Sequence, residues 1–392
     1  MKNTKHLLVV FYLIVVTGFA FHNAQAQKEA NIWYFGNGAG LDFNHETPRV
    51  LGEGKIYTNE GSAVVSDKNG NLLFYTDGIS VWNRDHEVMT NGTGLHGNAS
   101  STQSALIVPK PGSETLFYIF TVAEKAGADG FCYSIVDMGS GKEPADQFKN
   151  NKHYLAPDIK IVMGKGKVIE KNHLLFTPAS EKLTAVKHSN GSDYWILCHK
   201  WNSNSFVAYP LRPDGIGEAV ISNAGLFHGD ASNKTINEAI GYLKSSADGK
   251  KICSVICYKP QNNIEIFDFD NTNGTLSNPL QIPSEGFAYG VSFSPDNTKL
   301  YVSFLNGNSG IIQYKMPTKN DEPGQKNLIE SAVEITENEE EYSFGALQLG
   351  PDGKLYAARI GSYIDVINNP NAEGKNCNYQ KSSINLSPGN GT

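Results

Sequence analysis

The sequence predicts an all-β fold assembled from repeats, and three observations carry this. First, one phrase is written twice, as "SFSPDNTKLYVSF" at 292–304 and "QLGPDGKLYAARI" at 348–360. Second, turn-forming pairs that tolerate positive φ punctuate the chain at Asn69-Gly70, Pro111-Gly112, Asn190-Gly191, Asp248-Gly249, Asp296-Asn297 and Asp352-Gly353. Third, the stretches around these turns alternate apolar and polar residues and are rich in β-branched and aromatic side chains, whereas helical periodicity is scarce. Units of three or more strands, at spacings mostly between 40 and 60 residues, predict a seven-bladed β-propeller with six full repeats and a partial N-terminal blade.

The elements follow in chain order. Lys2 and Lys5 precede an apolar run from Leu7 to Phe21, and Ala24-Gln25-Ala26 is an A-x-A cleavage site. Residues 1–26 therefore read as a signal peptide, too short in its apolar part to span a bilayer. Residues 27–392 read as a single propeller domain. Its first strands come from "NIWYFGNGAGLDFN" at 31–44, where "GNGAG" reads as a hairpin turn: a dinucleotide loop would open a helix instead. Full units then open at Gly61, Ser104, Leu183, Gly241, Gly290 and Gly345. Third strands follow at 78–85, 130–138, 205–211, 263–270, 310–316 and 362–369. The long gap between Gly112 and Gly191 calls for an insertion around 123–180 that includes the polar "GSGKEPADQFKNNKHY". No innermost strand precedes residue 31. The C-terminal "CNYQKSSINLSPGNGT" reads as an outer strand, so the strand that closes the ring is expected to be missing. That would leave an exposed edge on the first blade, beside the last.

Several phrases together resemble a known family: "NIWYFGNGAGLDF", "GSAVVSDKNGNLLFYTDG", "SSTQSALIVPKPGS", "YSIVDM", "TPASEKLTAVKH", "DYWILCHKWNSNSF", "AYGVSFSPDNTKLYVS", "GALQLGPDGKLY" and "IDVINNPNAEGKNCNY". The family is the N-terminal, WD40-like β-propeller domain of large exported Bacteroidetes proteins. Those proteins carry PKD-type domains and a type IX secretion sorting domain, and are associated with gliding motility and adhesion. The resemblance covers nearly the whole exported chain. It implies a surface or secreted setting, no established catalytic role, and further C-terminal domains in a longer form. Family members continue into a short Gly-Leu-Pro-containing strand that looks like the closing strand, whereas this sequence ends at Thr392.

Charge narrows the partners. The formal net charge of −7 becomes −9 without Lys2 and Lys5, and no basic block occurs anywhere. Nucleic acid and anionic lipid are poor partners for such a chain. No later segment reaches the length of a membrane helix. The five cysteines are irregularly spaced and odd in number, which is no disulfide framework. Cys253 and Cys257 would lie about 13 Å apart on one strand face, too far to bond, and read as buried small apolar residues.

The chemistry-bearing motifs have bland readings. "DFDNTNG" at 268–274 misses the calcium-loop spacing and reads as a turn between outer strands. "GSGKE" at 139–143 lacks the residues of a phosphate loop. The histidines outside the leader show neither H-x-x-x-H nor H-E-x-x-H spacing, so no metal is expected. No G-x-S-x-G element occurs. The acidic "ENEEEY" at 337–342 reads as a solvated loop. No cofactor is called for.

Candidate ligand-binding residues are those expected where inner strands begin, at a mouth of the central channel. They are Glu60, Ser62, Gln103, Ser104, Glu181, Glu238 and Tyr289, together with His199 and Trp201 in "CHKWNSN". Satisfying strand backbones and waters is the competing role for all of them. The expected function is recognition or scaffolding: an exported propeller that binds a protein or a glycan. The extracellular space, the cell surface and the periplasm are the compartments open to it. The alternative is a propeller enzyme, a lyase or hydrolase acting on a glycan or lactone at the channel mouth.

Overall fold

The computed structural model describes residues 28–139, 164–229, 236–257, 262–305, 310–317, 325–336 and 344–387. The leader at 1–26, most of "GSGKEPADQFKNNKHY" and the acidic run at 337–342 lie outside the described residues.

The repeated phrase is a turn held by its own side chains. In "SPDNTK" the Asp296 carboxylate accepts from the Ser294 hydroxyl at 2.7 Å and from Thr298 N at 3.0 Å. Lys299 N closes the loop on Ser294 Oγ at 2.9 Å, and Asn297 takes a φ of 62°. Ser246 and Asp248 repeat this arrangement in "SADGKK", with Gly249 at a φ of 65°. The Ser and Asp side chains replace the missing backbone partners of a tight turn, and Gly or Asn supplies the left-handed residue.

Such turns join strands into successive antiparallel meanders. A three-stranded sheet comes first, with β1 (Ile32–Phe35), β2 (Ala39–Asp42) and β3 (Arg49–Leu51). An eight-stranded sheet follows and consists of two four-stranded meanders. One holds β4 (Ala63–Ser66), β5 (Leu72–Thr76), β6 (Ser80–Asn83) and β7 (Val88–Thr93); the other holds β8 (Ala105–Pro109), β9 (Leu116–Val122), β10 (Phe131–Asp137) and β11 (Lys167–Phe176). A single parallel pairing, Lys167 with Thr90, joins them. The next sheet has five strands: β12 (Ala179–Lys187), β13 (Tyr194–Lys200), β14 (Ser203–Arg212), β15 (Gly215–Ile216) and β16 (Val220–His228).

Three four-stranded sheets complete the chain. They are β17 (Leu243–Ser245), β18 (Lys251–Ile256), β19 (Asn263–Asp270) and β20 (Thr275–Pro283); β21 (Phe287–Phe293), β22 (Lys299–Leu305), β23 (Ile311–Lys315) and β24 (Val333–Glu334); and β25 (Phe344–Leu349), β26 (Leu355–Arg359), β27 (Tyr363–Ile367) and β28 (Tyr379–Asn385). The short helix α1 (Gln325–Glu330) buries Leu328. The expected insertion at 123–180 contains β10 and β11; β10 pairs regularly with β9, and β11 pairs with β10 through several register shifts. "GNGAG" is the β1–β2 turn, with Gly36 and Gly38 at φ of 57° and 71°.

Each meander packs face to face on the next. Tyr34 meets Tyr75; Phe74 meets Phe117; Phe120 and Phe131 meet Leu183 and Ile196; Trp195 and Phe206 meet Ile252 and Phe267. Cys253 and Ile266 then meet Val291 and Val302, and Tyr301 meets Leu347 and Leu355. The last meander returns to the first, with Tyr356 and Val366 on Leu41 and Phe43. Radial meanders whose apolar faces are all covered by neighbours form a closed β-propeller ring. The first strands of successive meanders contact one another and line its axis.

In the first sheet β1 pairs with β2, and no strand pairs with its other edge among the described residues. All five cysteines are buried and unpaired. Among the described residues no helix is long and apolar enough to cross a membrane.

Candidate functional site: the two ends of the axis

The axis is crossed by side chains where the inner strands begin. Gln103, just before β8, reaches two neighbouring sheets. Its Oε1 accepts from Leu183 N at 3.1 Å and Leu243 N at 2.7 Å, and its Nε2 donates to Leu243 O at 3.1 Å. The side-chain amide thus acts as a short strand between β12 and β17.

Glu181 is fully buried in β12. One oxygen accepts from Thr102 N at 2.8 Å and Thr102 Oγ1 at 2.7 Å, and the other from Lys125 N at 2.7 Å. A buried carboxylate is tolerated only with such donors. Lys125 and Ala126 take positive φ, 47° and 55°, within the short 3₁₀ turn 124–126. The bond to Glu181 holds this turn over the strand starts. Lys182 is also fully buried, and its ammonium donates to the carbonyls of Glu238, Ala239 and Ile240 at 3.2, 2.9 and 3.0 Å. It therefore caps the end of a second 3₁₀ turn, 236–239, whose last carbonyls lack helical partners. Burial pulls the Lys182 ammonium down to about 8, so it remains protonated at neutral pH.

Glu60 stands half-buried beside this network. Burial, reinforced by the charge of Glu181, pushes its carboxyl up to about 7, against the pull of a hydrogen bond with Tyr289. The Tyr289 ring packs edge-on to Tyr242 at 5.4 Å. A carboxyl raised above its ordinary 4.5 binds its proton more tightly in the folded chain than in the unfolded one. Its contribution to stability is complete below pH 4.5 and is lost as pH rises through about 7. Glu60→Gln is expected to flatten that part of the stability curve; urea midpoints at pH 4.5, 6 and 7.5 that fall equally in variant and wild type would refute this.

The other sequence candidates lie apart from this group or are bound into backbone. Ser62 donates to Tyr34 O at 3.1 Å, and Ser104 donates to Asp77 O at 2.7 Å while accepting from Asn98 N. Trp201 is buried, and its backbone N–H donates to Pro178 O at 3.1 Å. His199 is buried against His228, rings 3.8 Å apart and nearly parallel. His228 Nε2 lies 2.8 Å from a carboxylate oxygen of Glu265, both residues fully buried. Burial drives both histidines well below their ordinary range, and raises Glu265 to about 7. Among the described residues no group of three or more His, Cys, Asp or Glu is placed to hold a metal ion.

Glu60, Gln103, Glu181 and Tyr289 thus gather where the inner strands begin, with the backbone of Glu238. Sequence reasoning missed Lys125, Lys182, His228 and Glu265. Their partners lie 37 to 58 residues away in other meanders, so no local spacing marks them.

The opposite end of the axis, where the inner strands finish, is open. A cavity of about 550 Å³ is lined by the ends of β12, β17, β21 and β25 and by the Ser246–Gly249 turn. Lys244 stands in it, donating to Gln348 Oε1 at 2.7 Å from two sheets away and lying 5.5 Å from the Tyr242 ring centre. Burial lowers this ammonium to about 8.

No protein-family model and no curated protein matches the chain. Solved structures do match in overall shape. Hsv2 of Kluyveromyces lactis is 9% identical over 86% of this chain and 90% of its own, with a TM-score of 0.44. The Cps50 (Swd1) β-propeller domain of a Myceliophthora species ("Myceliophteria thermophila") is 9% identical over 84% and 92%, with a TM-score of 0.43. A putative 6-phosphogluconolactonase from Bacteroides fragilis is 15% identical over 73% and 76%, with a TM-score of 0.40.

Proposed function

We propose that the chain is an exported, seven-bladed β-propeller that binds a protein or glycan partner outside the cytoplasm, through the open end of its axis. The count takes the three-stranded sheet as the first blade and the two halves of the eight-stranded sheet as the second and third. The observation that carries the binding role is the contrast between the two ends. Where the inner strands begin, Gln103, Thr102, Glu181 and Lys182 spend their hydrogen bonds on the protein itself. Where they finish, a cavity of about 550 Å³ presents hydroxyls, main-chain groups and a lysine to solvent. A rigid ring with one polar recess is a binding scaffold in the ordinary size range of ligand sites. Export is supported by the basic start, apolar run and A-x-A site of residues 1–26, and by the resemblance to surface propellers of Bacteroidetes proteins.

A second reading, an enzyme acting on a glycan or lactone, is favoured by one observation: a carboxyl at Glu60 raised to about 7 beside Tyr289, which suits general acid–base work. One experiment separates the two. The purified chain is screened against a glycan array and envelope proteins, with lactone and glycan hydrolysis followed in parallel. Saturable binding without turnover is the expected result. Turnover that disappears in Glu60→Gln would replace this reading with the enzymatic one, and neither binding nor turnover would overturn both.

A further inference from the structure

We infer that the cavity at the open end of the axis is a site for a uronic acid residue of an acidic glycan, with the Lys244 ammonium paired to the sugar carboxylate. This rests on the binding reading above and narrows its ligand.

Lys244 brings a positive charge into the cavity. An ammonium carries three donors. One goes to Gln348 Oε1, and the Tyr242 ring lies alongside. No carboxylate is within ion-pair distance of it among the described residues, although the chain as a whole is acidic at −7. Asp248 also lines the cavity, but one of its oxygens is occupied by Ser246 Oγ at 2.7 Å and Lys250 N at 3.1 Å. A half-buried cation without a counter-ion, in a recess large enough for a ligand, favours an anion there.

The lining selects the class of anion. Phosphate is usually held by several cations, by guanidinium forks or by a nest of backbone N–H groups. Here Lys187 is turned to Tyr194, with its ammonium 3.0 Å from the phenol oxygen and 4.4 Å from the ring centre. One ammonium remains for the ligand, which matches a monoanion. The rest of the lining suits a sugar. The hydroxyls of Thr184 and Ser245 keep no hydrogen bond within the described residues and line the cavity. About 550 Å³ holds one or two pyranose rings with water.

The test is calorimetric titration of the wild-type chain with glucuronic acid, its methyl ester, glucose, N-acetylglutamate and inorganic phosphate, and with a glucuronate-containing disaccharide. The acid and the disaccharide are expected to bind at least tenfold tighter than the ester and glucose. Lys244→Met is expected to remove that preference, and Lys244→Arg to restore part of it. The comparison of acid with ester needs no variant, so it stands even if Lys244→Met fails to fold. Equal binding of acid and ester, tighter binding of phosphate or N-acetylglutamate, or an undiminished preference in a folded Lys244→Met would each overturn the inference. The array can still report a different partner, so this inference can fail while the binding reading stands.

Discussion

Glu181→Ala is expected to lower stability by about 5 kcal/mol and to release the turn at 124–126. The carboxylate accepts three short bonds in a fully buried position. Bonds to charged groups contribute roughly 1.5–3 kcal/mol each, and removing the acceptor also strands the Thr102 and Lys125 amides. Lys125 is held at a φ of 47°, which costs energy without the bond to Glu181. Two readouts follow. The urea midpoint falls with little change of slope, and trypsin gains a fast cleavage after Lys125 in the native state. A variant that loses less than about 1 kcal/mol and resists trypsin would mean that the turn is held by something other than Glu181.

Gly61→Ala is expected to cost about 3 kcal/mol through crowding alone. Gly61 N donates to Ser101 O at 3.1 Å, where two inner strands begin side by side. A β-carbon there would collide with Ser104 N and stand 2.9 Å from Ser101 O and 3.0 Å from Gln103 C, all backbone atoms. Backbone cannot rotate out of the way as a flexible side chain would, so the two meanders must separate. Denaturant unfolding of Gly61→Ala beside Gly94→Ala decides the mechanism. Gly94 has open space around it but a φ of 72°. Gly61 does not take a positive φ, so Gly94→Ala reports φ strain alone, and a Gly61→Ala loss below about 1 kcal/mol would show that the strands part without cost.

The repeat was legible because its determinants are local. "GVSFSPDNTKLYVSF" carries alternation, a Ser-x-Asp turn and a second alternation within one short stretch, and it becomes β21 and β22. The outer strands were harder. β11, "KVIEKNHLLF", is largely exposed, so its apolar residues do not mark one face, and it lay within the stretch read as an insertion. At the axis, sequence could suggest which residues begin inner strands, and Gln103, Glu181, Glu60 and Tyr289 do gather there. It could not say that Gln103 would bond to Leu243, 140 residues on, or that Lys182 would cap the 236–239 turn. Those contacts exist only once the ring is assembled. Lys244 carried no signal at all, because its partner Gln348 stands 104 residues further on, in another meander.

The central claim is that one end of the axis is closed by the protein's own groups and the other is open. Lys182 and Lys244 test it directly, because Lys182 is fully buried where the inner strands begin and Lys244 lines the cavity where they finish. Reductive methylation of the native chain at pH 8, read by mass spectrometry, then reports access. Rapid modification of Lys244 and none of Lys182 until denaturant is added is the expected result. Modification of Lys182 at the rate of Lys244, or protection of both, would contradict it.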